Sequence, residues 1–212
     1  VGMKLLVTGG MGFIGCNFIR HMLTKYHDIQ ITNLDKLSIG SNPANLKDVE
    51  ANKRYKFVKG DIADRKLVKV LMNEADIVVN VAAETHVDRS ISNPRSFFES
   101  NTLGTLNLLE AARKYDIKAF LHVSTDEIYG ATPQASSFKE SDRLHPSNPY
   151  SASKAAADMF IIAYHKTYDL KAMITRCTNN FGPYQFPEKF FPKVIIRALL
   201  NLKVPVYGSG KQ

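Results

Sequence analysis

Cysteine is scarce: Cys16 and Cys177 are the only two in 212 residues. Two thiols make neither a disulfide framework nor a metal quartet. Both are therefore expected to be reduced structural thiols of a cytoplasmic protein. No apolar run approaches the roughly 20 residues a membrane span needs. No signal-peptide layout precedes the strand-like run at 3–8, and Val1-Gly2 ahead of Met3 is expected to be a cloning remnant. Internal repeats and low-complexity tracts are also missing, which excludes a solenoid. The formal charge of +8 comes without any run of five or more basic residues. A nucleic-acid binder is therefore not indicated. A solvated basic surface is expected, with an anionic small-molecule substrate as the other reading of that charge.

What is present points to an enzyme-like α/β domain. A chain of this length and ordinary composition can bury one substantial core, or one domain plus part of a second. Continuously apolar runs rich in Val, Ile and Leu predict strands over 4–8, 30–34, 56–58, 77–81, 119–124 and 172–175. Between them, helices are predicted near 13–26, 64–73, 96–115 and 150–168, with Asp64 as an N-cap and Pro94 opening the approach to the third. Strands alternating with helices imply a doubly wound parallel sheet, with ligands beyond the carboxyl ends of its strands. After Arg176 the texture changes to loops rich in Pro, Gly and aromatics, then a helix near 190–201 and a short strand signal at 204–207. The expected division is 1–176 as a nucleotide-binding domain carrying the catalytic residues, and 177–212 as the incomplete beginning of a substrate domain.

The first strand runs into Gly9-Gly10-Met11-Gly12-Phe13-Ile14-Gly15 and then a helix. Glycines at 9, 12 and 15 allow a tight turn, a close approach to a pyrophosphate and close helix–strand packing. Asp35 lies 20 residues past Gly15, at the end of the second strand, where a carboxylate accepts the hydroxyls of an adenosine ribose. An acid there favours NAD over NADP. Asp61-Ile62, ending the third strand, is placed to flank an adenine, or to be simply a strand-end turn.

Tyr150 and Lys154 stand four apart on a helix and share a face. A lysine ammonium near a phenol lowers its pKa toward working pH. Such a tyrosine takes an alcohol proton while hydride leaves the same carbon for NAD, and Thr125 can hydrogen-bond the same oxygen. Tyr-x-x-x-Lys also arises by chance on surface helices. Its place after the glycine loop and Ser124-Thr125 decides for function. This pattern resembles the extended, sugar-nucleotide branch of the short-chain dehydrogenases/reductases, which implies a Rossmann fold.

Asp126 and Glu127 follow Thr125 at the end of the fifth strand. Once a sugar C4 is a ketone, its C5 proton is acidic enough for a carboxylate, and expelling the C6 hydroxyl needs a proton donor. Two adjacent acids meet both needs. An acidic surface turn is the plainer reading, which the position directly after Thr125 overrides.

Ser-Thr-Asp-Glu-Ile-Tyr-Gly at 124–130 is similar to the dTDP-glucose 4,6-dehydratases, and the resemblance implies Asp126 as acid and Glu127 as base. It further implies NAD contacts from Phe13, Ile14, Lys36, Ala82, Ala83, Ser100 and Asn180. Thr85, Asn179, Lys189, Phe190, Pro205 and Tyr207 would face the sugar nucleotide. No metal is expected, and His86 reads as structural. UDP-glucose 4,6-dehydration, another sugar-nucleotide reaction of this branch, or a catalytically dead NAD-binding module are the alternatives. A homodimer through helices 96–115 and 150–168 is implied too. Family members continue past the point matching Gln212, so the resemblance implies a chain cut short within its substrate domain.

Overall fold

The computed structural model describes residues 2–131 and 137–206. Six strands form one sheet: β1 (Met3–Thr8), β2 (Ile29–Asp35), β3 (Tyr55–Lys59), β4 (Ile77–Asn80), β5 (Ala119–Thr125) and β6 (Ala172–Cys177). Their order is β3-β2-β1-β4-β5-β6, and every neighbouring pair is parallel. The chain winds outward in one direction from β1 and in the other from β4, so the crevice between their carboxyl ends is where such a sheet accepts a ligand.

Helix α1 (Phe13–Lys25) follows β1 and α2 (Arg65–Met72) follows β3. Asp64 caps α2, its Oδ1 accepting from the N–H groups of Lys66 and Leu67 at 2.9 and 3.1 Å. Between β4 and β5 the chain makes α3 (Val87–Ser92), α4 (Pro94–Phe97), a π-helical segment at Phe98–Leu103, and α5 (Gly104–Lys114). Thus the single helix expected over 96–115 begins earlier, at Pro94, and carries a wide turn. Helix α6 (Pro149–Tyr168) precedes β6, and α7 (Phe190–Leu199) comes last. The strand signal at 204–207 is not realised over Val204–Val206, which pair with no strand; Tyr207 lies outside the described residues.

Strand alternation divides the core into two layers. Leu6, Leu34, Val78 and Phe120 pack one way against Val68 of α2, Leu108 and Leu109 of α5 and Ile161 of α6. Leu5, Val7, Ile31 and Val79 pack the other way against Cys16, Ile19 and Leu23 of α1. Both faces are covered, which is why the strands read as unbroken apolar runs. Helix α7 buries none of its residues. No helix among the described residues is long and apolar enough to cross a membrane. Cys16 is buried, Cys177 partly so, and both are free.

Candidate active site

A cavity of about 270 Å³ lies along the carboxyl ends of the strands. Its floor begins at the glycine loop. Gly9 has φ +73°, and a Cβ there would sit 2.6 Å from the Ala82 backbone. A Cβ on Gly15 would lie 2.3 Å from the Gly9 carbonyl oxygen, so the first turn of α1 presses directly on the loop. A Cβ on Gly12 would meet only that same oxygen, at 3.4 Å, and would otherwise fill the cavity. Gly12 is also the N-cap of α1, with no side chain bonded to the first turn. The helix therefore presents free backbone N–H groups to the cavity, a cradle for phosphate oxygens. Gly15→Ala is expected to displace the loop and weaken dinucleotide binding roughly 10- to 100-fold, the equivalent of the ~1–3 kcal/mol of overpacking. Calorimetric titration with NAD checks this; unchanged affinity would show that the loop does not hold the phosphates.

Asp35 is 5% exposed and works mainly as a loop anchor. One carboxylate oxygen accepts from Met11 N at 2.9 Å, the other from Leu37 N and Ser41 Oγ at 2.8 and 2.9 Å. A carboxylate offers about four acceptor sites, which leaves room for one ribose hydroxyl. Beside it Lys36 Nζ donates to Ser100 Oγ at 2.6 Å and lies 3.1 Å from Glu84 and 3.5 Å from Asp61. Asp61 lines the cavity with Ile62, and its Oδ1 also accepts from Ala63 N at 2.9 Å in the strand-end turn. Ala82, Ala83, Phe13, Ile14 and Asn180 line the same space.

Helix α6 starts on a capping box in which Asn148 accepts from Ser151 N at 2.8 Å while Ser151 Oγ accepts from Asn148 N at 3.2 Å. This fixes the first turn and puts Tyr150 and Lys154 one turn apart beneath the cavity, 7% and 2% exposed. Phe97 meets the Tyr150 ring edge-on at 6.4 Å. From the π segment, Asn101 donates to Ser153 Oγ at 2.9 Å and Thr102 to the Ser153 carbonyl at 3.0 Å. Burial raises the Tyr150 phenol, nearby Glu127 adds to this, and Thr125 acts the other way. Lys154 Nζ is bonded to the Val123 carbonyl at 2.8 Å and stands 3.0 Å from His122 Nε2. Burial depresses Lys154 itself to about 8.

Thr125 caps the short turn Asp126–Tyr129, its Oγ1 accepting from Glu127 N at 3.2 Å and donating to Asp126 Oδ1 at 3.3 Å. Glu127 lines the cavity and is half-buried; Asp126 does not line it. Burial pushes the Glu127 carboxyl up, and Asp126 adds to this, while Asn148 and Lys189 oppose it.

On the outer side, Thr85, Asn179 and Lys189 line the cavity, whereas Phe190, 70% exposed, and Pro205 do not. Lys189 Nζ reaches the Thr85 carbonyl at 3.3 Å. Next to it, Glu188 joins His86 Nε2 and Arg89 Nη2 at 3.1 Å each, tying the loop after β6 to the start of α3. His86 thus has a structural partner. Sequence reasoning passed over Ser38–Ser41, Gln185, Phe186 and Cys177, which also line the cavity. It also passed over Glu84 and His122. His122 had a signal, a polar ring inside an apolar strand; the loop residues had none.

The profile of the family described as GDP-mannose 4,6 dehydratase matches residues 6–212. A dTDP-glucose 4,6-dehydratase of Xanthomonas campestris pv. campestris (strain B100) is 49% identical over 98% of this chain and 62% of its own length. Another, from Actinoplanes sp., is 47% identical over 99% of this chain and 67% of its own. A solved dTDP-glucose 4,6-dehydratase from Streptomyces venezuelae with NAD bound superposes with a TM-score of 0.94 at 46% identity, over 98% of this chain and 66% of that one. The chain therefore spans about two thirds of the length of the relatives it matches.

Proposed function

The chain belongs to the GDP-mannose 4,6 dehydratase family, and on that premise we propose that it dehydrates dTDP-glucose to dTDP-4-keto-6-deoxyglucose with NAD. One observation carries the reading: a single cavity joins the glycine cradle and Asp35 to Thr125, Glu127, Tyr150 and Lys154. The cradle fits a dinucleotide, since Gly12 leaves open the space a Cβ would take and α1 aims unpaired N–H groups into it. Bound there, NAD supplies a hydride acceptor, a positive nicotinamide and later the hydride donor for C6. Lys36, Asp61, Ile62 and Ser100 hold the adenosine end with Asp35, and Ala82, Ala83 and Asn180 border the rest.

Tyr150 takes the C4 hydroxyl proton, oriented by Thr125 Oγ1. Glu127 then removes the C5 proton, and its raised proton affinity suits a base working near neutrality. Asp126, which stands just behind the cavity-lining Thr125 and is hydrogen-bonded to it, supplies the proton that leaves with the C6 hydroxyl as water, by way of a turn of its side chain toward the substrate. Thr85, Asn179 and Lys189 hold the sugar nucleotide, and Lys189 meets its diphosphate. Phe190, Pro205 and Tyr207 belong to the same substrate side, within a substrate portion that begins at residue 177; residues up to 176 hold most of the cofactor, which Asn180 also borders.

We infer a cytoplasmic homodimer. Phe98, Leu103, Met159 and Phe160 leave large apolar side chains exposed on the π segment and α6, which suits the pairing of those helices.

The purified chain incubated with NAD and dTDP-glucose, with UDP-glucose in parallel, tests the reading. The alkaline absorbance of a 4-keto-6-deoxy sugar from dTDP-glucose supports it. Product from UDP-glucose alone reassigns the base. Bound NAD without any product removes the activity and leaves an NAD-binding module.

A further inference from the structure

Beneath Tyr150 and Lys154 runs a file of buried side chains that none of the steps above uses. Thr8 Oγ1 donates to Asn80 Oδ1 at 2.6 Å, Asn80 Nδ2 lies 3.0 Å from His122 Nδ1, and His122 Nε2 lies 3.0 Å from Lys154 Nζ. Thr8, Asn80 and His122 are each 0% exposed. They stand on β1, β4 and β5, three neighbours in the sheet, so the file crosses from the foot of the glycine loop to α6.

Counting hydrogens along the file gives a constraint. A neutral imidazole has one N–H and one lone pair, so it cannot accept at both nitrogens. With Asn80 Oδ1 taken by Thr8, Nδ2 donates to Thr105 Oγ1 at 3.2 Å and to His122 Nδ1. Nδ1 then accepts, Nε2 carries the hydrogen, and Lys154 receives it as a neutral amine while still donating to the Val123 carbonyl. An ammonium has no lone pair and demands the reverse: Nε2 accepting, Nδ1 donating, and the Asn80 amide turned so that Oδ1 faces the ring. The imidazolium that would fit between is disfavoured, because burial and the neighbouring Lys154 hold His122 well below its ordinary pKa.

We propose that His122 is the positioning residue of Lys154 and that its tautomer, read by the Asn80 amide, is coupled to the lysine's charge. With Lys154 an ammonium the ring carries its hydrogen on Nδ1; with Lys154 an amine, on Nε2. The two arrangements differ by one proton, which Lys154 gives up to solvent, together with the exchange of tautomer and the turn of the amide. Other groups face this centre. Asp158, one turn along α6, favours the ammonium and is itself bonded to Arg176 of β6. Cys177 of β6 acts in the same direction. Tyr150 lies on the cavity side, with Glu127 and Asp126 acting on it from the turn after β5. The consequence for alcohol oxidation rests on the redox reading of Tyr150 and Lys154: the pair loses its cation, and rate, on the alkaline side. The tautomer exchange does not rest on it.

The test is nitrogen-15 NMR of the histidine-labelled chain, in which long-range couplings separate Nδ1–H from Nε2–H, titrated from about pH 6 to about pH 10. His122→Gln assigns the ring among the six histidines. The expected result is a ring neutral throughout that passes from Nδ1–H to Nε2–H with a midpoint near 8, where Lys154 titrates. A single tautomer over the whole range, or an imidazolium, overturns the proposal. Lys154→Met should freeze the ring in one tautomer, and an exchange that persists there overturns the coupling. A swap seen in a chain that makes no product would leave this inference standing and remove the proposed activity instead.

Discussion

Glu127→Gln is expected to stop the loss of water while leaving C4 oxidation in place, so that reduced cofactor accumulates and no deoxysugar forms. The variant keeps the size of the half-buried side chain and its place in the cavity, but an amide cannot take the C5 proton. The loss of product formation should be about 10²- to 10⁴-fold, the usual worth of a positioned general base. The pH dependence carries a sign. Burial and Asp126 raise the Glu127 carboxyl above its ordinary range, and the base works only when ionised. Elimination should therefore fall as pH drops through that raised value, and the variant should lack this acid limb. Near-ultraviolet absorbance follows the reduced cofactor, and alkaline absorbance follows the product. If both signals fall together, Glu127 serves the oxidation as well and the two steps do not divide between the Tyr150–Lys154 and Asp126–Glu127 pairs.

Arg176→Ala is expected to be the most destabilising single change at the edge of the site, by about 3–5 kcal/mol, because it leaves a buried charge without its partner. Asp158 is 0% exposed. One oxygen accepts from Arg176 Nε at 3.0 Å; the other, with no well-formed donor among the described residues, lies 3.8 Å from His122 Nε2. Arg176 also holds the Tyr129 hydroxyl at 2.6 Å and the Glu140 carbonyl at 3.0 Å, so it braces the loop after β5. Burial raises the Asp158 pKa and Arg176 opposes that rise. An acid with a raised folded-state pKa costs stability where it is ionised, and the cost disappears as pH falls below its unfolded-state value. Without the arginine the rise is greater, so the deficit should grow with pH and shrink in acid. Urea unfolding at about pH 5 and about pH 8 measures it. An equal loss at both would mean that Arg176 acts by packing. The paired change Asp158→Leu with Arg176→Met should recover most of the stability.

How much of this was legible depended on the kind of signal. All six strands could be read, because a sheet covered on both faces makes its strands apolar throughout. Their ends slipped by one or two residues where polar positions such as Asp35 and Thr125 extend the pairing. Helix α6 was legible around the Tyr150–Lys154 spacing, while its start signal, Asn148-Pro149, was passed over. The short 3-10 turn Pro43–Val49 was missed, although Asn42 capping Ala44 N and the proline both marked it. The six residues of α3 are too few and too polar for periodicity to register. In the site, types and spacing located the carboxylates and the Tyr-Lys pair. They could not show that Asp126 is hydrogen-bonded to Thr125 beside the cavity, that Lys154 pairs with His122, or that Asp35 spends most of its acceptors on its own loop. Those facts depend on contacts between residues dozens of positions apart.

The wide turn at Phe98–Leu103 bears on which changes of chain length the protein can absorb. An α-helix advances about 100° per residue, and a π turn holds one residue more than the helix needs. Deleting any one residue of this segment would let the helix close up into regular register. The turns on either side would keep their register on each other, because the wide turn is where the extra residue is taken up. The loss would fall on the widened stretch itself, which carries Ser100 to Lys36 and Asn101 to Ser153 and the Glu84 backbone. The wall of the cavity thus has a place where one residue of chain length is absorbed locally, without rotating the helices that frame it.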